Sequence, residues 1–155
     1  MREISTDAFD RKLLAALQYD GRLTNSELSE QINLSASQCA RRRIRLEDAG
    51  FIAGYHAKLD REKLGFGLVN LISVTLANHN RDSAKQFADL LSRLPEVMEA
   101  HALTGEMDYM LKVVTTDLKS LSTFVNDYLL PHEAVQNVKT AIVLDTIKEG
   151  GGLPI

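Results

Sequence analysis

The chain has 155 residues, 45% hydrophobic and 25% charged, which is the composition of a soluble globular protein with room for one ordinary domain or two small ones. A formal net charge of -3 excludes a protein that coats nucleic acid through bulk positive charge, so any contact with DNA has to come from a local basic patch. One cysteine, Cys39, excludes an intramolecular disulfide, and the absence of a secretory h-region or a long apolar run points to a cytoplasmic protein without a membrane span.

Taken in order, Asp7 followed by Asp10 caps a first helix, on which Phe9, Leu13, Leu14 and Leu17 recur at helical spacing until Gly21. Thr24 with Glu27 forms a capping box that opens a short helix carrying Leu28 and Ile32. The Asn33-Leu34-Ser35 turn leads directly into a third helix, where Ser35 with Gln38 repeats the capping box and Gly50 supplies a left-handed stop. Three helices in about forty residues, the last two joined by a tight turn, form a helix-turn-helix pattern.

The third helix holds the densest charge in the chain. At about 100° per residue, Ser37, Gln38, Arg41 and Arg45 share one side with Arg42 at its border, while Cys39 and Leu46 fall opposite. No carboxylate stands between Arg41 and Arg45, and arginine forks with amides at this spacing suit base edges and phosphates. The candidate DNA-contacting set is therefore Ser35, Ser37, Gln38, Arg41, Arg42 and Arg45, joined by Arg22 and Asn25 beside the start of the preceding helix as phosphate contacts. Cys39, on the inner face, reads as a buried thiol.

Residues 51 to 60 read as an extended segment, and Gly65 and Gly67 punctuate the chain, making 55–67 the linker between a unit at 1–54 and a second at 68–148, with 149–155 a flexible tail. The second unit has β-rich runs at Leu68 to Ala77, Val97 to Thr104, Tyr109 to Thr115 and Val138 to Leu144. Helical stretches fall after the first and the third of these, closed by Pro95 and Pro131. The order βαββαβ is that of a ferredoxin-like split βαβ arrangement with both helices on one face of an antiparallel sheet. Apolar residues occur on both faces of its strands, as with Val69 and Leu71 opposite Ile72 and Val74, so the face without helices is expected to pack against a second copy.

Together these residues resemble the Lrp/AsnC family of transcription regulators. The resemblance rests on Asp10-Arg-Lys-Leu-Leu, Gly21-Arg22, Glu27-Leu28, Leu34-Ser35, Arg42 with Leu46-Glu47, Gly50-Phe-Ile-Ala-Gly-Tyr55, Leu64-Gly65, and above all Leu103-Thr-Gly-Glu-Met-Asp-Tyr-Met-Leu-Lys-Val113. It implies an α+β chain in which a winged-type helix-turn-helix precedes a ferredoxin-like effector and oligomerisation domain. Its partners would be double-stranded DNA, an amino-acid effector, and further copies of itself as dimers, tetramers or octamers. The effector site implied by the resemblance is the loop Thr104, Gly105, Met107, Asp108 and Tyr109, with His101 at its wall. Glycine would let backbone amides approach a ligand carboxylate, and aspartate would accept from an α-ammonium group. The competing use of Gly105 and Asp108 is simply to make the turn between two strands.

Three positions depart from the family pattern. Arg43 stands where an apolar residue is usual, and is read as laying its stem across the core and pairing with a carboxylate; Ile44 stands where a polar one is usual. Ala36 replaces a proline common after the serine that starts this helix. Catalysis finds no support: there is no nucleophile motif or phosphate loop, His56, His79, His101 and His132 lack zinc spacing, and no cofactor is implied. The alternative function is an architectural DNA-binding oligomer without a small-molecule response.

Overall fold

The computed structural model describes residues 5–78 and 80–155, so His79 and the first four residues lie outside the described residues. The chain divides into two compact units, one running to Lys58 and joined by Lys148–Ile155, the other Leu59–Ile147.

In the first unit, helices α1 (Ala8–Tyr19), α2 (Asn25–Ile32) and α3 (Ala36–Asp48) each begin at a complete capping box: Asp7 with Asp10, Thr24 with Glu27, and Ser35 with Gln38. Each box satisfies two amides that the helix start would otherwise leave unbonded, contributing about 1 kcal/mol per cap. The turn between α2 and α3 closes on Asn33, whose φ of 56° is left-handed and suits asparagine, while Gly50 at φ 76° ends the unit's third helix as its sequence position indicates. Leu13, Leu17, Leu28, Ile32, Cys39 and Leu46 form the core, which is the apolar set that the helical spacing selects. Phe9 departs from it: its ring stands at the surface, with the Lys12 ammonium 5.9 Å and the Arg42 guanidinium 5.6 Å from its centroid. Residues 53–60 take neither helix nor strand.

The tail is not a loose end. The side-chain amide of Gln18 donates to the Leu153 carbonyl at 2.9 Å and accepts from the Leu153 amide at 2.9 Å, so one glutamine satisfies both backbone groups of a residue 135 positions away. Lys58 and Glu149 add an exposed ion pair at 3.4 Å.

In the second unit, β1 (Leu68–Leu76), α4 (Arg81–Leu91), β2 (Val97–Ala102), β3 (Tyr109–Thr115), α5 (Leu118–Thr123) with its π-helical continuation Phe124–Leu129, and β4 (Val135–Ile142) follow in the expected order. The antiparallel sheet runs β2-β3-β1-β4, the ferredoxin-like arrangement. The fourth strand begins at Val135, three residues before the start read from the sequence. Ile72, Val74, Leu76, Leu111 and Val113 pack with Phe87, Leu121, Phe124 and Leu129 on the helical side. Asn70 shares that buried side, its Nδ2 donating to Thr115 Oγ1 at 3.2 Å and to the Val113 carbonyl at 3.4 Å. The other side is mixed: Val69, Leu71, Met110 and Val114 lie among Ser73, Thr75, Glu99, Lys112 and Lys139.

Candidate nucleic-acid interface and effector loop

The arginines of α3 are not equivalent. Arg42 Nη1 donates to Asp7 Oδ2 and to Asp10 Oδ1, both at 2.7 Å, and Arg45 Nη2 donates to Asp10 Oδ2. No carboxylate stands between Arg41 and Arg45 in the sequence, but the fold brings the first turn of α1 against Arg42 and Arg45. That contact neutralises charge expected to be available to DNA. Asp10 is 1% exposed, and burial alone would push its carboxyl pKa up. The hydrogen bonds from Arg45, the Asp7 amide and Arg42 outweigh burial and lower it to about 2.

Arg43 behaves as its position implies. Its Nε donates to Glu47 Oε1 at 3.1 Å and to the Tyr55 hydroxyl at 3.0 Å, Nη1 donates to the Leu23 carbonyl at 3.1 Å, and the guanidinium lies 4.7 Å from the Tyr55 ring centroid. Tyr55 completes the cluster by donating to Glu47 Oε1 at 2.8 Å. This bracket ties α3 to the chain that follows it.

Arg41 alone among the four is exposed and without a hydrogen bond or ion pair among the described residues. It borders an open cleft of about 270 Å³ with Asp7, Arg42 and Arg45. Ser37 and Gln38 are exposed beside it; Gln38 Oε1 accepts from the Ser35 amide at 3.0 Å, and the two serine hydroxyls lie 3.1 Å apart. Ile44 is exposed on the same outward side, a residue that reading by charge passes over. Arg22 is exposed and paired with Asp20 at 3.2 Å, a surface pair that is cheap to exchange for a phosphate. Asn25 is half-buried, and its Oδ1 is buried without a hydrogen-bond partner.

The loop between β2 and β3 separates its candidate residues. Thr104 and Gly105 are exposed, with Gly105 at φ 133°, and the Leu103 amide donates to the Asp108 carbonyl at 2.8 Å to close the turn. Asp108 Oδ2 accepts from the Leu76 amide at 2.7 Å, where the pairing of β1 with β4 is irregular. The side chain thus has a structural use, but it reaches across to β1 and does not make the turn that the sequence reading set against ligand binding. Thr75 Oγ1 donates to Met107 Sδ at 3.4 Å, and the Tyr109 ring packs on Phe87 with centroids 5.0 Å apart. His101 Nε2 lies 3.2 Å from Glu99 Oε2, whose other oxygen accepts from Lys112 Nζ at 3.1 Å. These hydrogen bonds from Lys112 and His101 lower the pKa of Glu99. His101 and Glu99 stand on the face of the sheet opposite the helices, whereas the Tyr109 ring packs among the core residues.

A capped helix-turn-helix followed by a ferredoxin-like sheet defines a DNA-binding regulator with an attached sensory or assembly domain. Residues 7–47 match the AsnC-type helix-turn-helix domain, and residues 70–153 match the Lrp/AsnC ligand binding domain. The chain belongs to the Lrp/AsnC family and is a transcriptional regulator, not an enzyme. It is 39% identical over 146 residues to the leucine-responsive regulatory protein of Rhizobium meliloti, covering 94% of each chain. It is 36% identical over 152 residues to the transcriptional regulator AzlB of Bacillus subtilis, covering 98% of this chain and 97% of that protein. Among solved structures, a transcriptional regulator from Neisseria meningitidis in complex with L-Met superposes with a TM-score of 0.93 at 43% identity, covering 97% of both chains. No helix among the described residues is long and apolar enough to cross a membrane.

Proposed function

We propose that the outward side of α3 enters the major groove of operator DNA and that Arg41 is its principal charged contact. The observation that carries this is the exposure of an unpaired Arg41 beside three arginines that are all held by protein acceptors. Ser37 and Gln38 flank it, Ser35 and the α3 N-terminus lie near phosphate, and Arg22 and Asn25 reach the backbone on the α2 side. Arg42 and Arg45, paired with Asp7 and Asp10, keep α3 seated against α1. Two copies joined through the sheet face that carries Leu71 and Met110 place two such helices in successive grooves, and the protein acts in the cytoplasm.

We infer further that an amino acid modulates this activity at the Thr104 to Tyr109 turn, where copies meet. Support comes from the ligand-binding character of the matched domain and from the L-Met complex of the Neisseria regulator, which makes methionine the first ligand to test. A ligand shifts assembly only by binding one assembly state better than another.

The test is a thermal-shift screen against the common amino acids, paired with light scattering and with binding to duplex DNA at several salt concentrations. A ligand at about 100 times its Kd stabilises the folded state by roughly 2.7 kcal/mol. Stabilisation by methionine or a related amino acid, with a change in assembly size, supports the sensor. A flat response with salt-dependent, sequence-indifferent DNA binding supports an architectural role instead.

A further inference from the structure

Resting on the reading of α3 as the groove-entering helix, we propose that Ile44 is a specificity-determining residue that reads the 5-methyl group of a thymine. Ser37, Arg41, Ile44 and Asp48 are spaced four, three and four residues apart, so they share one side of α3, opposite the buried Cys39 and Leu46. Ile44 is 57% exposed and belongs to neither apolar cluster. Of its neighbours in sequence, Arg43 is committed to Glu47 and Tyr55, and Arg45 to Asp10. A branched hydrocarbon is thereby left at the centre of the outward side.

Such a side chain can donate and accept nothing, and the thymine methyl is the apolar feature that the major groove displays. Contact between the two removes apolar surface from water on both partners. The spacing also fixes where that thymine lies. Three residues of helix advance about 4.5 Å, and base pairs are stacked about 3.4 Å apart, so the thymine falls within one or two base pairs of the base or phosphate contacted by Arg41. Asp48, one turn further on, marks the end of the groove-facing stretch, because its carboxylate is repelled by phosphate.

The experiment uses the full chain and a duplex selected by it from a random pool, with thymines replaced one at a time by deoxyuridine, which lacks only the methyl group. Wild-type protein is expected to lose about fourfold in affinity at the contacted thymine, and Ile44→Ala to bind the thymine and deoxyuridine duplexes equally while keeping the salt dependence of the wild type. Equal deoxyuridine sensitivity in wild type and Ile44→Ala, or none at any position in wild type, overturns the assignment of Ile44 while leaving α3 as the DNA-binding helix. Failure of the wild type to bind any duplex in a salt-dependent way overturns the DNA-binding reading, and the Ile44 proposal with it.

Discussion

Asp10 on α1 and Arg45 on α3 are 35 residues apart in the chain and share a hydrogen-bonded ion pair in which the carboxylate is almost wholly buried. Arg42 binds the other oxygen of the same carboxylate. Two residues of the basic helix are therefore spent on seating it, and the consequence is a division of labour among arginines adjacent in sequence.

That division is open to a direct comparison. Arg41→Ala should weaken specific DNA binding by roughly 1–3 kcal/mol while leaving the unfolding midpoint unchanged. Arg45→Ala should lower stability by about 1–3 kcal/mol, because Asp10 keeps its burial but loses a charged donor. Urea unfolding followed by circular dichroism, together with fluorescence anisotropy on labelled DNA, separates the two. Identical profiles for the two variants would sink the distinction.

The same carboxylate gives the first unit an acid limit. Asp10 has a pKa of about 2 when folded against an ordinary value of 3.8, so the unfolded chain takes up its proton at higher pH than the folded one. Its contribution, of order 2 kcal/mol, is complete above about pH 4 and is lost as pH falls from there towards 2. Unfolding midpoints measured between pH 2 and 6 should show this loss in the wild type. Asp10→Asn should be less stable at neutral pH and have a flatter acid limb.

Asp108 is expected to matter for the sheet before it matters for any ligand. Asp108→Ala removes the acceptor for the Leu76 amide and should cost about 1 kcal/mol of stability. Asp108→Asn retains an acceptor oxygen and should recover most of it. If Asn restores stability but not the amino-acid response in the thermal-shift assay, the charge serves the ligand; if both recover together, the residue acts through its bond to Leu76 alone.

Tail docking has its own signature. A Cβ on Gly152 would come within 2.5 Å of Gln18 Cδ, so Gly152→Ala has to displace the glutamine that pairs with Leu153. Faster hydrogen exchange at the Leu153 amide is expected in Gly152→Ala and in Gln18→Ala alike. Protection unchanged in both variants would show that the tail is held by something other than Gln18.

Local rules determined much of this protein from the sequence alone. The capping boxes at Thr24 and Ser35, the left-handed stop at Gly50, the inward set of Leu13, Leu28, Cys39 and Leu46, and the βαββαβ order depend on spacing and on neighbours within a few residues, which is what a sequence displays. The use of Asp108 was not legible: a turn within the β2–β3 loop was the alternative to a ligand, whereas the carboxylate serves the Leu76 amide of β1, 32 residues away. Tertiary structure decided which arginines are available. The partners of Arg42 and Arg45 come from α1, more than thirty residues away, and whether a charge is neutralised depends on distances that no helical periodicity contains. It likewise decided that Gln18 holds Leu153 and that Ile44 stays in solvent, since both follow from how separate segments pack rather than from the preferences of either one.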